Sequence, residues 1–118
     1  MSTSAARLSS AALALSGVGI AVDPRGATKA LHLHAASARG LTETRAGVGG
    51  TFAALGAWAL ARGSRDAYTA VGVTWLGAAA VRLVSLYVDK PDTDATFWAY
   101  LAGEIGFGVA ALTAGSRT

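Results

Sequence analysis

Cysteine is absent from this chain, which excludes disulfides, thiolate metal sites and cysteine nucleophiles and leaves the redox compartment unmarked. Histidine is almost as scarce. His32 and His34 are the only two, and with no third ligand close by they read as part of an ordinary interfacial loop rather than a metal site. Charge is thin: 14% of the 118 residues are charged and 53% are hydrophobic. Soluble domains carry about 25% charged residues, and a soluble domain of this length could not hide so much apolar surface. The net charge of +3 is scattered rather than gathered on one face, which argues against nucleic-acid binding. With 15 Gly and only 2 Pro, and apolar positions that lean on Ala and Gly, the composition is neither disordered nor collagen-like. No G-x-S-x-G, H-E-x-x-H or phosphate-binding loop occurs. The run from Gly47 to Gly50 fails as a phosphate loop because it lies inside an apolar stretch with no following Lys.

What is present is a set of four apolar segments, at about 8–22, 42–61, 67–88 and 95–114. A helical bilayer span takes about 20 residues at about 1.5 Å each. The last three segments meet that length, while the first is short and needs an extension toward Ser4, tilt or local thinning. A rival reading makes the first segment a cleaved signal peptide, with Arg7 as its basic start. The turn Arg62-Gly-Ser-Arg-Asp66 and the turn Asp89-Lys-Pro-Asp-Thr-Asp94 are short enough to force antiparallel neighbours. Residues 23–41 form the one long connection, whose middle is expected to be a short interfacial helix with Leu31, Ala35 and Ala38 on one side. The fold class expected is all-α: one domain over residues 1–118, an integral membrane antiparallel four-helix bundle.

Against this apolar background, Arg82 and Glu104 stand out, since an ionisable group within a span is expensive and functional by default. Counting back from Val88, Arg82 lies about 9 Å below the surface and Glu104 about 13 Å below it on the next segment. Antiparallel order puts Glu43 and Arg45 in the same half of the membrane. The four charges sum to zero, and the expected pairs are Arg82 with Glu104 and Glu43 with Arg45, with exchange of partners open. Ser85 and Asp89 are neighbours of this group. Small residues recur at four-residue spacing, as Gly49, Ala53, Ala57 and Ala61 beside Gly50, and as Ala102, Gly106, Ala110 and Ala114. Such stripes let helices approach closely in lipid. Trp58, Trp75 and Trp98 fit lipid-facing or interfacial positions, Trp98 with Tyr100 as an aromatic belt.

Glu43-x-Arg45 before Gly49-Gly50 and Gly56, then Arg82 with Ser85, Asp89 with Pro91, and Glu104 in the last segment resemble one known pattern. It is that of the small four-helix bacterial membrane proteins of the domain-of-unknown-function 4345 family, in the DoxX-like superfamily. The resemblance covers nearly the whole chain, departing at Lys90, where similar proteins often have Gly. It implies a four-span bundle in a bacterial inner membrane with both termini on one side, and it implies no activity. Arg7, Arg62, Arg65 and Arg117 then share one side and Arg25, Lys29, Arg39 and Lys90 the other, a near tie that leaves the termini assigned to the cytoplasm.

Three classes of function follow. The first is an accessory or structural subunit packing against a larger membrane complex or a second copy, its charges a latch that fixes helix register. The second is a small transporter or a lipid- or quinone-binding protein, with Glu43 and Glu104 titrating or touching ligand and Arg82 as a clamp. Size counts against transport, since no inverted repeat is visible. The third, an enzyme, would have only Ser85, Tyr87 and the carboxylates near Arg82 to work with, so no enzyme is expected. No cofactor is expected beyond contact with lipid or quinone.

Overall fold

A computed structural model describes residues 2–117, with side chains from 3 to 114, so the side chain of Arg117 lies outside the described residues. The described chain is all-helical. Helix α1 spans Ser2–Val22, α2 Pro24–Thr28, α3 Ala38–Glu43, α4 Thr51–Arg62, α5 Arg65–Val88 and α6 Ala95–Arg117. Lys29–Leu31 forms a single 3-10 turn after α2, and Thr44–Gly50 is a π-helical segment that joins α3 to α4 without a break. Three helices are long and apolar enough to cross a membrane: α1, α5 and α6.

Local chemistry explains where each helix starts and stops. Ser64 accepts from the Ala67 N–H at 3.2 Å to open α5, and the Asp94 carboxylate accepts from the Phe97 N–H at 2.9 Å to open α6. Gly63, with φ of 59°, ends α4 in the left-handed conformation that glycine adopts most cheaply. The first helix is longer than the apolar run because it extends back through Ser4 to Ser2. The 23–41 connection departs from expectation: its helix forms at the start, not the middle. Pro24 sits at the first helical position, the Asp23 carboxylate caps Gly26 N at 3.1 Å, and His32 at φ 59° stops the turn that follows. The chain then runs without helix to Ser37, which caps α3 by accepting from Gly40 N, so the second helical stretch begins earlier than residue 42.

Side by side, α5 lies along α6 and α1 along α4, α1 also meets α6, and α5 has only slight contact with α1 and α4. Both main pairs are antiparallel. Moving along α5 from Gly72 to Arg82 moves back along α6 from Leu112 to Glu104, and moving along α1 from Ser10 to Ala21 moves back from Gly56 to Gly49. Large apolar side chains such as Leu15, Val22, Val81, Val84 and Val88 face outward, whereas the buried core is mostly Ala, with Leu13, Tyr68 and Val71. That reverses the usual soluble order of large inside and small outside. Buried Ser9 ties three helices together: its hydroxyl donates to Phe107 O at 2.8 Å, and its carbonyl accepts from Trp75 Nε1 at 3.3 Å.

The small-residue stripes fall elsewhere than the four-residue ladders suggest. On α4 and the π segment the buried positions are Gly49, Gly56 and Ala59, with Ala53 half-buried, while Gly50, Ala57 and Ala61 are exposed. A Cβ on Gly56 would stand 2.5 Å from Ala14 N, and one on Gly17 would collide with the Ala53 backbone, so these helices touch backbone to backbone. On α6 the buried face is Leu101, Glu104, Gly108, Ala111 and Ala114. Ala102 and Gly106 look outward and Ala110 is half-buried. A helix repeats every 3.6 residues, so a strict four-residue ladder drifts off the packed face while mixed steps of three and four stay on it.

Candidate functional site: a charge pair on the wall of an apolar cavity

Arg82 on α5 and Glu104 on α6 form a two-pronged ion pair. Nε donates to Oε1 at 2.9 Å and Nη2 to Oε2 at 2.7 Å, the parallel geometry that makes Arg-carboxylate pairs strong. Glu104 is almost fully enclosed, its side chain 6% exposed, while Arg82 keeps 22%. Phe97 and Tyr100, two turns and one turn before Glu104, approach the guanidinium at 5.1 and 5.8 Å from their ring centroids. The pair therefore has an aromatic flank as well as an acidic one.

The other two charges expected in this group are placed differently. Glu43 accepts from Arg39, one turn earlier on α3, at 2.5 Å and does not pair with Arg45. Positions two apart on a helix point to different faces, whereas positions four apart share one. Arg45 instead reaches across to the end of α1, where Nη1 donates to Ala21 O at 2.6 Å and Val22 O at 3.3 Å. It thereby satisfies carbonyls that a helix end leaves without partners, and its positive charge suits the negative end of the helix dipole. The four charges thus resolve into one interhelical pair, one surface pair and one helix cap. Ser85 donates to Asp89 Oδ2 at 2.6 Å within α5 and its terminus, again separate from the pair.

Between the four long helical stretches lies a half-open cavity of about 620 Å³, with exposed Leu15 at its rim. Arg82 and Glu104 are on its wall, beside Trp75, Phe107, Tyr100 and Phe52. Trp75 and Phe107 form one tilted aromatic pair with centroids 5.3 Å apart. Trp75, expected at a lipid-facing or interfacial position, is turned inward by its bond to Ser9, whereas Trp58 and Trp98 are exposed as expected. The aromatic lining carried a weak sequence signal. Trp75 lies seven residues before Arg82, Phe97 seven before Glu104, and Phe107 three after it, all spacings that share a helix face.

Of the five N–H donors of a guanidinium, Arg82 spends one on each of its two bonds to Glu104, so three remain without a partner among the described residues. No buried polar side-chain atom lacks a hydrogen-bond partner among the described residues, so these donors are open to solvent or to a ligand's acceptor. No group of three or more metal-ligating side chains occurs among the described residues. In comparison with known proteins, the chain matches no family model, no curated protein and no solved structure.

Proposed function

We propose that this chain is a four-span integral membrane protein that holds a single amphiphile, a lipid or a quinone, with its tail in the central cavity and its carbonyl or ester head against Arg82. The observation that carries this reading is the cavity itself: apolar and aromatic, with one charge pair on its wall and guanidinium donors left over. The pair is electrically neutral, which suits a neutral acceptor head better than a full anion, because Glu104 would repel the latter.

The fourth crossing in this reading is the continuous stretch of α3, the π segment and α4, with six, seven and twelve residues in turn. Its length of about 37 Å exceeds the ~30 Å hydrocarbon core. A four-span bundle of a bacterial membrane with both termini on one side is also what the DoxX-like resemblance implies. That resemblance supplies no activity.

The test is extraction of the protein in mild detergent, followed by mass spectrometry of what leaves with it. Wild type should retain one amphiphile class in near-stoichiometric amount. Replacing the pair together, Arg82→Met with Glu104→Met, should leave a folded protein without it. Retention of the same molecule by the double variant would sink the reading.

A second reading, an accessory subunit of a larger complex, is favoured by one specific observation. Gly106, exposed like Ala102 one turn earlier, has no neighbouring atom within 4 Å of a built Cβ, so a narrow outward strip of α6 lies open to another helix. Copurification in native lipid discs separates the two, since a companion protein is needed only for this one.

A further inference from the structure

The strap formed by residues 23–37 covers a second cavity, of about 390 Å³, closed below by α3 and the start of the π segment. Its floor is apolar, with Ile20, Leu31, Leu33, Leu41 and Val48, and its wall carries Arg25, Lys29 and His34 but no acidic residue. Three of these side chains, Ile20, Leu31 and Val48, also line the central cavity, so they partition the two spaces.

The charges at this end of the molecule are unevenly satisfied. Asp23 is engaged with Gly26 N, Glu43 with Arg39, Asp89 with Ser85, and Asp94 stands 3.7 Å from His32. Arg25 and Lys29 take part in no ion pair or side-chain hydrogen bond among the described residues. They are four apart across the junction of α2 and the 3-10 turn, and both are exposed. The strap itself is held firmly enough to present them. Pro24 and Thr28 are buried, and the Thr28 hydroxyl donates to Pro24 O at 2.5 Å.

We infer that this strap cavity is a binding site for an anionic phospholipid, its phosphate between Arg25 and Lys29 and the start of one acyl chain on Leu31, Leu33 and Val48. Charge complementarity selects the headgroup: two basic side chains without acids in the lining attract an anion, and an apolar floor distinguishes a lipid from a free ion. The site depends on the membrane-spanning reading only for the depth of the strap, which follows the last residue of α1 and therefore lies at the bilayer surface. It does not depend on what fills the central cavity.

Native mass spectrometry of the full chain, exchanged into equimolar phosphatidylglycerol and phosphatidylcholine, tests this. Two surface cations predict a preference for phosphatidylglycerol of roughly tenfold to thirtyfold, falling as salt is raised. The variant Arg25→Gln with Lys29→Gln should bind both lipids alike with an unchanged unfolding midpoint, because both side chains are exposed. Equal binding of the two lipids by wild type would overturn the inference. So would displacement of phosphatidylglycerol by millimolar inorganic phosphate, which would mark a free-anion site. The Arg82→Met, Glu104→Met variant separates this site from the central one. It should keep the phosphatidylglycerol preference while losing the cavity ligand.

Discussion

At the scale of single residues, the Arg82 to Glu104 pair has an asymmetric cost of breakage. A carboxyl left alone in an apolar place can take up a proton, but a guanidinium cannot lose one. Glu104→Leu should therefore cost about 3 kcal/mol and Arg82→Leu less, read as lowered unfolding midpoints in detergent. Replacing both partners with apolar residues should recover most of the loss, because no charge is then stranded. If both single variants and the double variant unfold alike, the pair has no latch role. Lys90 offers a second residue-level test. It is held at φ 49°, a left-handed conformation in the turn after α5, at the position where proteins of the resembled pattern often have Gly. A non-glycine residue there costs about 1–2 kcal/mol, more than the ~0.4–1 kcal/mol that glycine's freedom in the unfolded chain takes back, so Lys90→Gly should raise the midpoint.

Packing between helices turns on which face each presents, and that is where the sequence was only half legible. The four helical stretches, their turns and the partnership of Arg82 with Glu104 could be read from apolar length, capping residues and opposite charge. Which alanines and glycines face inward could not, because nearly every position in an Ala-Gly-rich helix is small and a four-residue ladder can be drawn on several faces. The π segment adds to this, since one widened turn shifts Ala38–Arg62 out of the register that an unbroken helix would keep. Arg45 was similarly opaque: its partners are backbone carbonyls at the end of α1, which no side-chain pattern announces. The faces make a contrast that can be measured. Gly56→Ala pushes a Cβ to within 2.5 Å of the Ala14 backbone and should destabilise by about 1–3 kcal/mol. Gly106→Ala meets nothing and should be neutral or stabilising by up to about 1 kcal/mol through helix propensity. The opposite ranking of the two in a chemical unfolding series would refute this assignment of faces.

For the molecule as a whole, the dimensions and the helix lengths bear on how many times it crosses the membrane. Its longest extent is 43 Å, close to the ~40–45 Å of a bilayer with its headgroups. Three helices meet the length and hydropathy of a span as continuous α-helix, and the fourth stretch meets the length only through its π segment. A three-crossing arrangement would keep residues 23–62 on one surface, so Ser37 and Ser64 would share a side. With four crossings they lie on opposite sides, and Ser37 lies with Thr93. The lack of native cysteine makes this directly measurable, because any single introduced thiol is the only one present. Ser37→Cys, Ser64→Cys and Thr93→Cys, each labelled in intact cells with a membrane-impermeant maleimide, should divide into Ser37 with Thr93 against Ser64. If Ser37 and Ser64 label together, the central cavity loses its fourth wall inside the bilayer: Val48 and Phe52 would sit at the surface, and a lipid tail between the helices would no longer be enclosed. The strap follows the end of α1 in either arrangement and keeps α3 on the same surface, so the number of crossings decides the central site and leaves the strap site in place.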